Sequence, residues 1–174
     1  MEQVLTKAYA GEREAGRMEQ TEMAAVYQRW KNVVYKAAMA YCRNVQDAED
    51  ITHDVFLKRF QHAAAFPEDE AEKAWLLRVT INECKNLLKS FRRKHSVPLE
   101  EAEQICVTPQ EHTVFDAVNA LPAAYRIAVH LFYYEGYSTK EIAEITRRSD
   151  AAVRKQLQRA REMLKTALGE GFEI

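Results

Sequence analysis

The chain has 174 residues, of which 47% are hydrophobic and 29% charged, a composition typical of one globular domain or two small ones. Its formal net charge is −1, so any affinity for nucleic acid must come from local basic patches rather than from the overall charge. No stretch is long and apolar enough for a membrane span, and the N-terminus lacks the apolar core of a signal peptide, so we expect a protein that stays in the cytoplasm.

Few glycines and prolines and no strand-like alternation predict an all-α chain, which begins with a leader and two core helices. Residues 1–21 predict a poorly ordered leader or a frayed helix. Apolar residues recur at helical spacing over 22–41, and after a turn at 44–47 a second helix is predicted over 48–62. Three polar residues lie on its solvent side: Asp50, His53 and Asp54. Solvation and the helix dipole suffice to explain them, so the pattern alone predicts no function.

A basic line follows on the third helix. Pro67 and an acidic run predict a loop, and Asp69 is expected to cap a helix over 71–93. Five residues at spacings of four, three, four and three share one face: Arg78, Asn82, Lys85, Lys89 and Arg92. A basic ridge with Trp75 nearby suits a nucleic-acid backbone and unstacked bases. The alternative is a charged solvent face, although such a face normally mixes signs.

Residues 96–112 differ in composition from their neighbours. They hold two prolines and four acids and no lysine or arginine, which predicts an extended acidic linker. Beyond it, Thr113 is predicted to cap a short helix, and another helix is predicted from Pro122 to about Tyr134, with Gly136 ending it. The apolar residues of the short helix are Val114, Phe115, Val118 and Leu121. This second half therefore predicts a separate helical domain.

Two helix starts stand close together near the C-terminus. Ser138 with Glu141 forms a capping-box pattern, and Ser149 offers a second N-cap after a short break. The second of these helices has an apolar seam of Val153, Leu157, Ala160 and Leu164. Its other side carries Arg154, Lys155, Gln158 and Arg161, with Arg159 alongside. The pattern favours a helix-turn-helix whose second helix enters the major groove, and the alternative is a solvated basic face.

The three cysteines do not predict a disulfide framework. Cys42, Cys84 and Cys106 are odd in number and widely spaced, which indicates reduced thiols. A metal site would need closely paired ligands, whereas ten, ten and five residues separate four candidates: Cys84, His95, Cys106 and His112. We therefore expect no metal site and no cofactor.

Two basic helical modules on an acidic linker resemble the bacterial sigma factors of RNA polymerase, of the small two-domain, extracytoplasmic-function type. The stretches DAEDITHDVFLKRF and AWLLRVTINECKNLLKSFRRK resemble the family's first domain. The stretches LPAAYRIAVHLFYYEGYSTKEIAEI and AAVRKQLQRAREMLK resemble its second. The resemblance covers residues 22 to 168 and implies a first sigma domain over 22–95, a linker over 96–112 and a second domain over 113–170.

The resemblance also implies partners and contacts. Asp50, His53 and Asp54 would dock on the clamp helices of the polymerase largest subunit, and the second domain's apolar side on the flap tip of the second-largest. Residues 66–73 would hold a flipped base of the promoter minus-ten element. The first domain's DNA contacts would be Arg78, Asn82, Lys85, Asn86, Lys89 and Arg92. The minus-thirty-five element would be read by Arg154, Lys155, Gln158 and Arg159. The linker would run near the active-site cleft and RNA exit path, and an anti-sigma factor would be a regulatory partner.

Three departures from the family pattern affect individual contacts. His53 stands where Gln is common, which would make the polymerase contact weaker or sensitive to pH. Arg147 stands where the turn often has glycine, which disfavours a left-handed backbone there. Ala151 and Ala152 replace a small residue and a threonine, which removes a hydroxyl that could bind phosphate.

The sequence thus predicts a non-enzymatic initiation factor that opens promoter DNA by binding energy alone. A stand-alone helix-turn-helix regulator of duplex DNA is the first alternative, but it would not explain the basic line on the third helix. A scaffold protein with charged helices would show no DNA selectivity. An enzyme is the least favoured class, because no nucleophile, base and orienting group fall together.

Overall fold

The computed structural model describes residues 20–62, 65–95 and 114–169, with side chains described throughout except for Gln20 and residues 91–95. These ranges contain seven α-helices, one π-helical turn and no strand. The helices are α1 (Gln20–Cys42), α2 (Val45–Gln61), α3 (Asp69–His95), α4 (Val114–Ala120), α5 (Ala123–Val129), α6 (Thr139–Thr146) and α7 (Asp150–Leu168), with the π-helical turn at His130–Tyr134. The predicted all-α fold class is confirmed.

The chain divides into two compact units, Met1–Lys85 and Asn86–Ile174. The division falls within α3, whereas the sequence places a linker over 96–112. That linker, residues 1–19 of the leader predicted over 1–21, and Thr113 lie outside the described residues, so the predicted domain bounds stay a prediction. Among the described residues, no helix combines the length and apolarity that a bilayer crossing requires.

The first unit is built on the pairing of α1 with α2. Val34 and Val55 are fully buried, and the Tyr27 ring meets the Phe56 ring edge-on with centroids 4.9 Å apart. In α3, Leu77 and Ile81 are fully buried, as their helical spacing predicts. Burial of these apolar side chains is the main source of the unit's stability.

Two helix starts differ from the predicted bounds. The predicted turn at 44–47 is wrong, because Asn44 caps α2 by accepting the Asp47 N–H at 2.9 Å and the helix begins at Val45. Asp69 is the first residue of α3 rather than its cap, since the Glu68 carbonyl already accepts the Ala71 N–H at 3.1 Å. Asn44 is thus a helix cap where the sequence predicts a turn residue. Asp69 is a first-turn residue where the sequence predicts a cap.

The second unit is organised around α7, which α4, α5 and α6 contact. The seam predicted for this helix is confirmed, because its four residues are all buried: Val153, Leu157, Ala160 and Leu164. Ile142 and Ile145 of α6 and Leu131 of the π-helical turn are fully buried as well. The second unit therefore has an apolar core of its own.

The short helix and the one after it depart from the predicted pattern. Of the four apolar residues predicted for the short helix, Leu121 is buried, but Phe115 and Val114 are 74% and 48% exposed, and Ala117 is buried as well. A seven-residue helix buries one narrow side, and Phe115 does not lie on it. The helix predicted to run to Tyr134 changes to a π-helical turn after Val129, and the chain leaves that turn at Gly136 with φ of +74°.

Two of the three cysteines meet in the first unit, and both are free thiols. The hydrogen bond with Cys42, followed by burial, raises the pKa of the Cys84 thiol far above its ordinary value. This proximity was not predicted, because 42 positions separate the two residues. The four candidate metal ligands considered above include Cys106, His112 and His95. The first two residues and the side chain of the third lie outside the described residues, so only Cys84 of the four can be described.

Candidate nucleic-acid and polymerase interfaces

The predicted caps of the helix-turn-helix are present. The Ser138 N–H donates to Glu141 Oε2 at 2.9 Å, and the Glu141 N–H donates back to Ser138 Oγ at 3.4 Å. At the second start, the Ala152 N–H donates to Ser149 Oγ at 3.2 Å. These bonds satisfy amides that the first turn of a helix leaves without partners, so both helix starts are fixed by local sequence.

Arg147 takes the left-handed conformation between the two helices, with φ and ψ both 54°. The Arg148 N–H donates to the Ala143 carbonyl at 2.9 Å, which is the six-to-one bond of a Schellman motif. The turn therefore keeps the geometry that glycine would adopt without strain. Arginine in place of glycine costs the chain about 1 kcal/mol at this position.

The outer face of α7 exposes the four side chains assigned to the minus-thirty-five element, Arg154, Lys155, Gln158 and Arg159. Arg154 pairs with Asp150, and Gln158 Nε2 donates to Glu162 at 3.0 Å. Arg159 donates to the Tyr125 hydroxyl at 3.2 Å. Lys155 makes no hydrogen bond or ion pair within the described parts of the chain. The face is thus accessible, and Lys155 is its least engaged cation.

Electrostatics at the start of α7 keep one carboxylate ionised. A hydrogen bond from Thr139, together with the charges of Arg154 and Lys140, lowers the pKa of Asp150. Asp150 is the first residue of α7, where a negative charge also interacts favourably with the helix dipole. It therefore holds a negative charge on the face assigned to DNA.

Two tyrosines that the sequence did not single out support the arginines of α7. The Tyr125 hydroxyl accepts from Arg159, and the Tyr133 hydroxyl accepts from Arg161 Nε at 2.9 Å. Arg161 also lies 6.0 Å from the Phe132 ring centroid. Because 34 and 28 positions separate the bonded residues, no short-range pattern predicts either contact.

The residues assigned to the minus-ten strand lie along α3. Arg78, Asn82 and Lys85 are half-buried, whereas Asn86 and Lys89 are exposed. Arg92 lies in α3, but its side chain is outside the described residues. Trp75 is half-buried and contacts the rings of His62 and Phe66, with centroids 4.8 and 5.7 Å away. The tryptophan is therefore packed within the protein rather than standing as an open stacking platform.

The acidic face of α2 is accessible. Asp50, His53 and Asp54 are all exposed, and Asp50 accepts a hydrogen bond from Gln46 at 3.3 Å. His53 also borders an open cavity of about 450 Å³ whose lining includes Tyr27 and Leu57. The arrangement offers charged contacts beside an apolar groove, a combination common in protein interfaces.

A buried charge cluster, which the sequence reasoning missed, supports the connection between α2 and α3. Arg59 and Glu72 are 4% and 5% exposed and form an ion pair at 2.6 Å. Trp30 Nε1 donates to the other oxygen of the same carboxylate at 2.9 Å. A signal existed: Arg59 follows Val55 and Phe56 on the buried side of α2, where a charge requires a partner.

Known proteins resemble this chain in both of its parts. The family profile for sigma-70 region 2 matches residues 26–94, and that for sigma-70 region 4 matches residues 112–164. The ECF RNA polymerase sigma-E factor of Haemophilus influenzae is 30% identical over 70% of this chain and 75% of its own length. The probable RNA polymerase sigma factor RfaY of Xanthomonas campestris is 30% identical over 82% of this chain, which spans only 39% of that relative.

The fold is shared with a solved structure. The sigma factor RpoE of Bartonella quintana, solved in complex with the anti-sigma factor NepR, superposes with a TM-score of 0.65. The superposition covers 83% of this chain and 95% of that one at 21% identity. At this identity the likeness concerns the arrangement of the helices and not the individual contacts.

Proposed function

This chain belongs to the extracytoplasmic-function sigma factors of RNA polymerase, and we propose that it binds core polymerase, directs it to promoters and opens the DNA there without catalysing a reaction. The observation that carries the proposal is the presence of both sigma-70 regions in one chain, in order. A stand-alone regulator needs a helix-turn-helix but has no use for region 2. Core polymerase is the partner that makes use of both regions, and we propose that the protein works with it in the bacterial cytoplasm.

We assign polymerase docking to the exposed side of α2. Asp50, His53 and Asp54 would contact the clamp helices of the largest subunit, with the neighbouring groove receiving apolar side chains. In the second unit, the exposed ring of Phe115 supports contact with the flap tip of the second-largest subunit. Exposed aromatic residues of this kind are enriched in protein interfaces.

We assign strand opening to α3 and the connection before it. Asn86 and Lys89 are exposed on this helix, and Arg78, Asn82 and Lys85 are half-exposed beside them, with Arg92 further along. Cations of this kind would bind the backbone of the single strand. Residues 66–73 would take a flipped base, whose stacking and phosphate contacts must offset a few kcal/mol of unpairing.

We assign the minus-thirty-five element to α7, where helix-turn-helix proteins present their base-reading side chains. Lys155 can contact phosphate without breaking an internal bond. Arg154, Gln158 and Arg159 would exchange their contacts within the protein for contacts with DNA, so part of their binding energy would offset that loss.

An anti-sigma factor is the regulatory partner that we propose. The related RpoE was solved with one, and the α2 and α7 surfaces assigned here to polymerase and the minus-thirty-five element are exposed. An inhibitor that covers α2 would compete directly with the polymerase clamp.

Affinity capture of core RNA polymerase tests the proposal. Wild-type chain should retain core polymerase, and Asp50→Ala/Asp54→Ala should retain several-fold less, because two charges of the docking face are lost. Glu22→Ala/Glu162→Ala is the matched control, since it removes two exposed acids outside α2 and should bind as wild type does. Folded wild-type protein that binds duplex DNA but no polymerase would favour the stand-alone regulator instead.

A further inference from the structure

We propose that Arg59 is a positioning residue for base capture: its buried guanidinium holds Phe66 and Glu72, two members of the segment 66–73, in the positions in which that segment receives the flipped base. The inference rests on the proposed function, because it concerns the segment assigned there to the minus-ten element. Arg59 itself, which is 4% exposed, would not touch the DNA.

The Arg59–Glu72 pair joins three helices of the first unit. Its Nε and one terminal nitrogen lie 2.6 Å from Glu72 Oε1 on α3. The other terminal nitrogen donates to the His62 carbonyl at 3.4 Å, where the connection begins. Glu72 Oε2 accepts from Trp30 Nε1, which adds α1 to the same cluster. Three helices and the start of the connection are therefore held by one side chain and its partner.

Phe66, which belongs to the segment assigned to base capture, lies against the same guanidinium. The Arg59 guanidinium carbon lies 4.8 Å from the centroid of the Phe66 ring. Phe66 in turn stacks on His62 with centroids 5.7 Å apart and contacts Trp75 at 5.7 Å. Because Arg59 contacts Phe66 and Glu72 together, it fixes two side chains of the segment assigned to base capture and ties them to His62 at the end of α2.

Stability alone is a poor explanation for this charge pair. An apolar residue on the buried side of α2, as at Val55 and Phe56, would pack without the cost of desolvating two charges. What arginine adds is a rigid planar fork that donates in fixed directions and also stacks on a ring. Those properties matter where the geometry of a segment has to be defined.

Substitution of Arg59 by lysine keeps the positive charge but removes the planar guanidinium, so it tests the two properties separately. A lysine ammonium can pair with Glu72, but it cannot also lie flat on Phe66 while reaching the His62 carbonyl. Arg59→Lys should therefore fold and bind polymerase, but its side chain should no longer hold the Phe66 ring and the His62 carbonyl in fixed positions. The matched control is Lys58→Gln, which removes a charge one position earlier, where exposed Lys58 pairs with half-buried Glu83.

The test compares holoenzymes on a promoter selected with the wild-type chain from DNA randomised around the minus-ten and minus-thirty-five positions. Open complexes are measured by permanganate reactivity of unpaired thymines. A series of templates carries a single abasic site at each minus-ten position of the nontemplate strand, and the position with the largest loss for wild type marks the captured base. Polymerase affinity and the unfolding midpoint of each variant are measured alongside.

On the intact promoter, Arg59→Lys should form open complexes about tenfold less well than wild type, since stacking of one captured base is at stake. On the template that lacks the captured base, the two proteins should differ less than twofold. Lys58→Gln should match wild type on both templates. Trp30→Phe, which removes only the second donor to Glu72, should show a smaller loss on the intact promoter alone.

Two results would overturn the inference while leaving the proposed function intact. One is open-complex formation by Arg59→Lys equal to that of wild type. The other is a tenfold loss that persists on the abasic template, which would show a general effect of the substitution rather than loss of base capture. Failure of the wild-type holoenzyme to open any selected promoter would instead count against the proposed function itself.

Discussion

Single residues carry strain or unusual chemistry in both units. Arg43 and Arg147 have left-handed backbones, with φ of 58° and 54°, and each stands directly after a helix. The sequence pointed to Arg147 as a poor residue for this conformation, and the chain nevertheless adopts it. Local hydrogen bonds, including the Arg148 to Ala143 bond, outweigh the conformational cost.

Glycine at position 147 should therefore stabilise the second unit. Arg147→Gly removes the left-handed penalty and should raise the free energy of unfolding by up to about 1 kcal/mol, less the greater freedom that glycine gives the unfolded chain. Urea unfolding followed by circular dichroism would measure the change. Tryptophan fluorescence reports unfolding of the first unit alone, because Trp30 and Trp75 both lie in it, so a change seen only by circular dichroism belongs to the second unit. A destabilised second unit would show that the arginine side chain makes a compensating contact.

The Cys84 thiol predicts a dependence of stability on alkaline pH. Its pKa is raised in the folded protein, chiefly by the hydrogen bond with Cys42, whereas the unfolded chain ionises near the ordinary value of 9.0. Ionisation above that pH favours the unfolded state. The free energy of unfolding should therefore be unaffected by this thiol below pH 9 and fall by about 1.4 kcal/mol per pH unit above it. Unfolding followed by tryptophan fluorescence at pH 8 and pH 10 would measure this loss.

Cys84→Ala is the control for that measurement. The variant removes the Cys84 thiol and its hydrogen bond with Cys42, so the difference in pH slope between it and wild type belongs to this pair of thiols. Equal slopes for the two proteins would contradict the burial and hydrogen bonding of Cys84.

At the scale of helices, the sequence predicted the features that depend on residues within one or two turns of each other. The Ser138–Glu141 capping box, the Ser149 cap and the apolar seam of α7 were read correctly, because each depends on residues within a turn or on a 3.6-residue period. The sequence pattern predicts a turn at 44–47, whereas Asn44 caps α2 and the helix starts at Val45. Turn and cap signals share the same residue types, so their position decides between them.

Contacts between residues far apart in the sequence could not be predicted from helical spacing. The Arg59–Glu72 pair is separated by 13 positions and the Trp30–Glu72 bond by 42. Helical spacing could place Arg59 on a buried side, but it could not show which carboxylate meets it. Candidate site residues exposed on single helices were therefore predictable, whereas the groups that hold those helices in place were not.

The outer face of α7 gives a prediction for duplex binding. Lys155→Ala should weaken binding to DNA that carries the selected minus-thirty-five element and reduce the slope of log affinity against log salt by about 1, because one phosphate contact is lost. Fluorescence anisotropy over a salt series would measure both quantities. An unchanged salt slope would exclude a phosphate contact by Lys155.

Asp150→Asn should act in the opposite direction. It removes a negative charge and releases Arg154, so affinity should rise. Since the pKa of Asp150 is lowered, its carboxylate stays ionised at neutral pH, and the gain should be the same at pH 6 and pH 8. Circular dichroism would check that α7 remains intact without the favourable charge at its N-terminus.

For the whole molecule, the resemblance read from two motifs is confirmed by the two sigma-70 profiles and by a relative that shares 30% identity over most of both chains. The motifs were sufficient because each couples a helical period to a fixed order of polar residues. The contacts with polymerase and promoter stay predictions, since they depend on partners whose surfaces the sequence does not contain.

Promoter selection tests the central claim most directly. Core polymerase with the wild-type chain would transcribe a library of randomised DNA fragments, and the templates that yield transcripts would be sequenced. We expect two different short elements at a constant separation, because two units of one chain each read one of them. A single palindromic element, as a dimeric regulator would select, or no enrichment above core polymerase alone, would contradict the account.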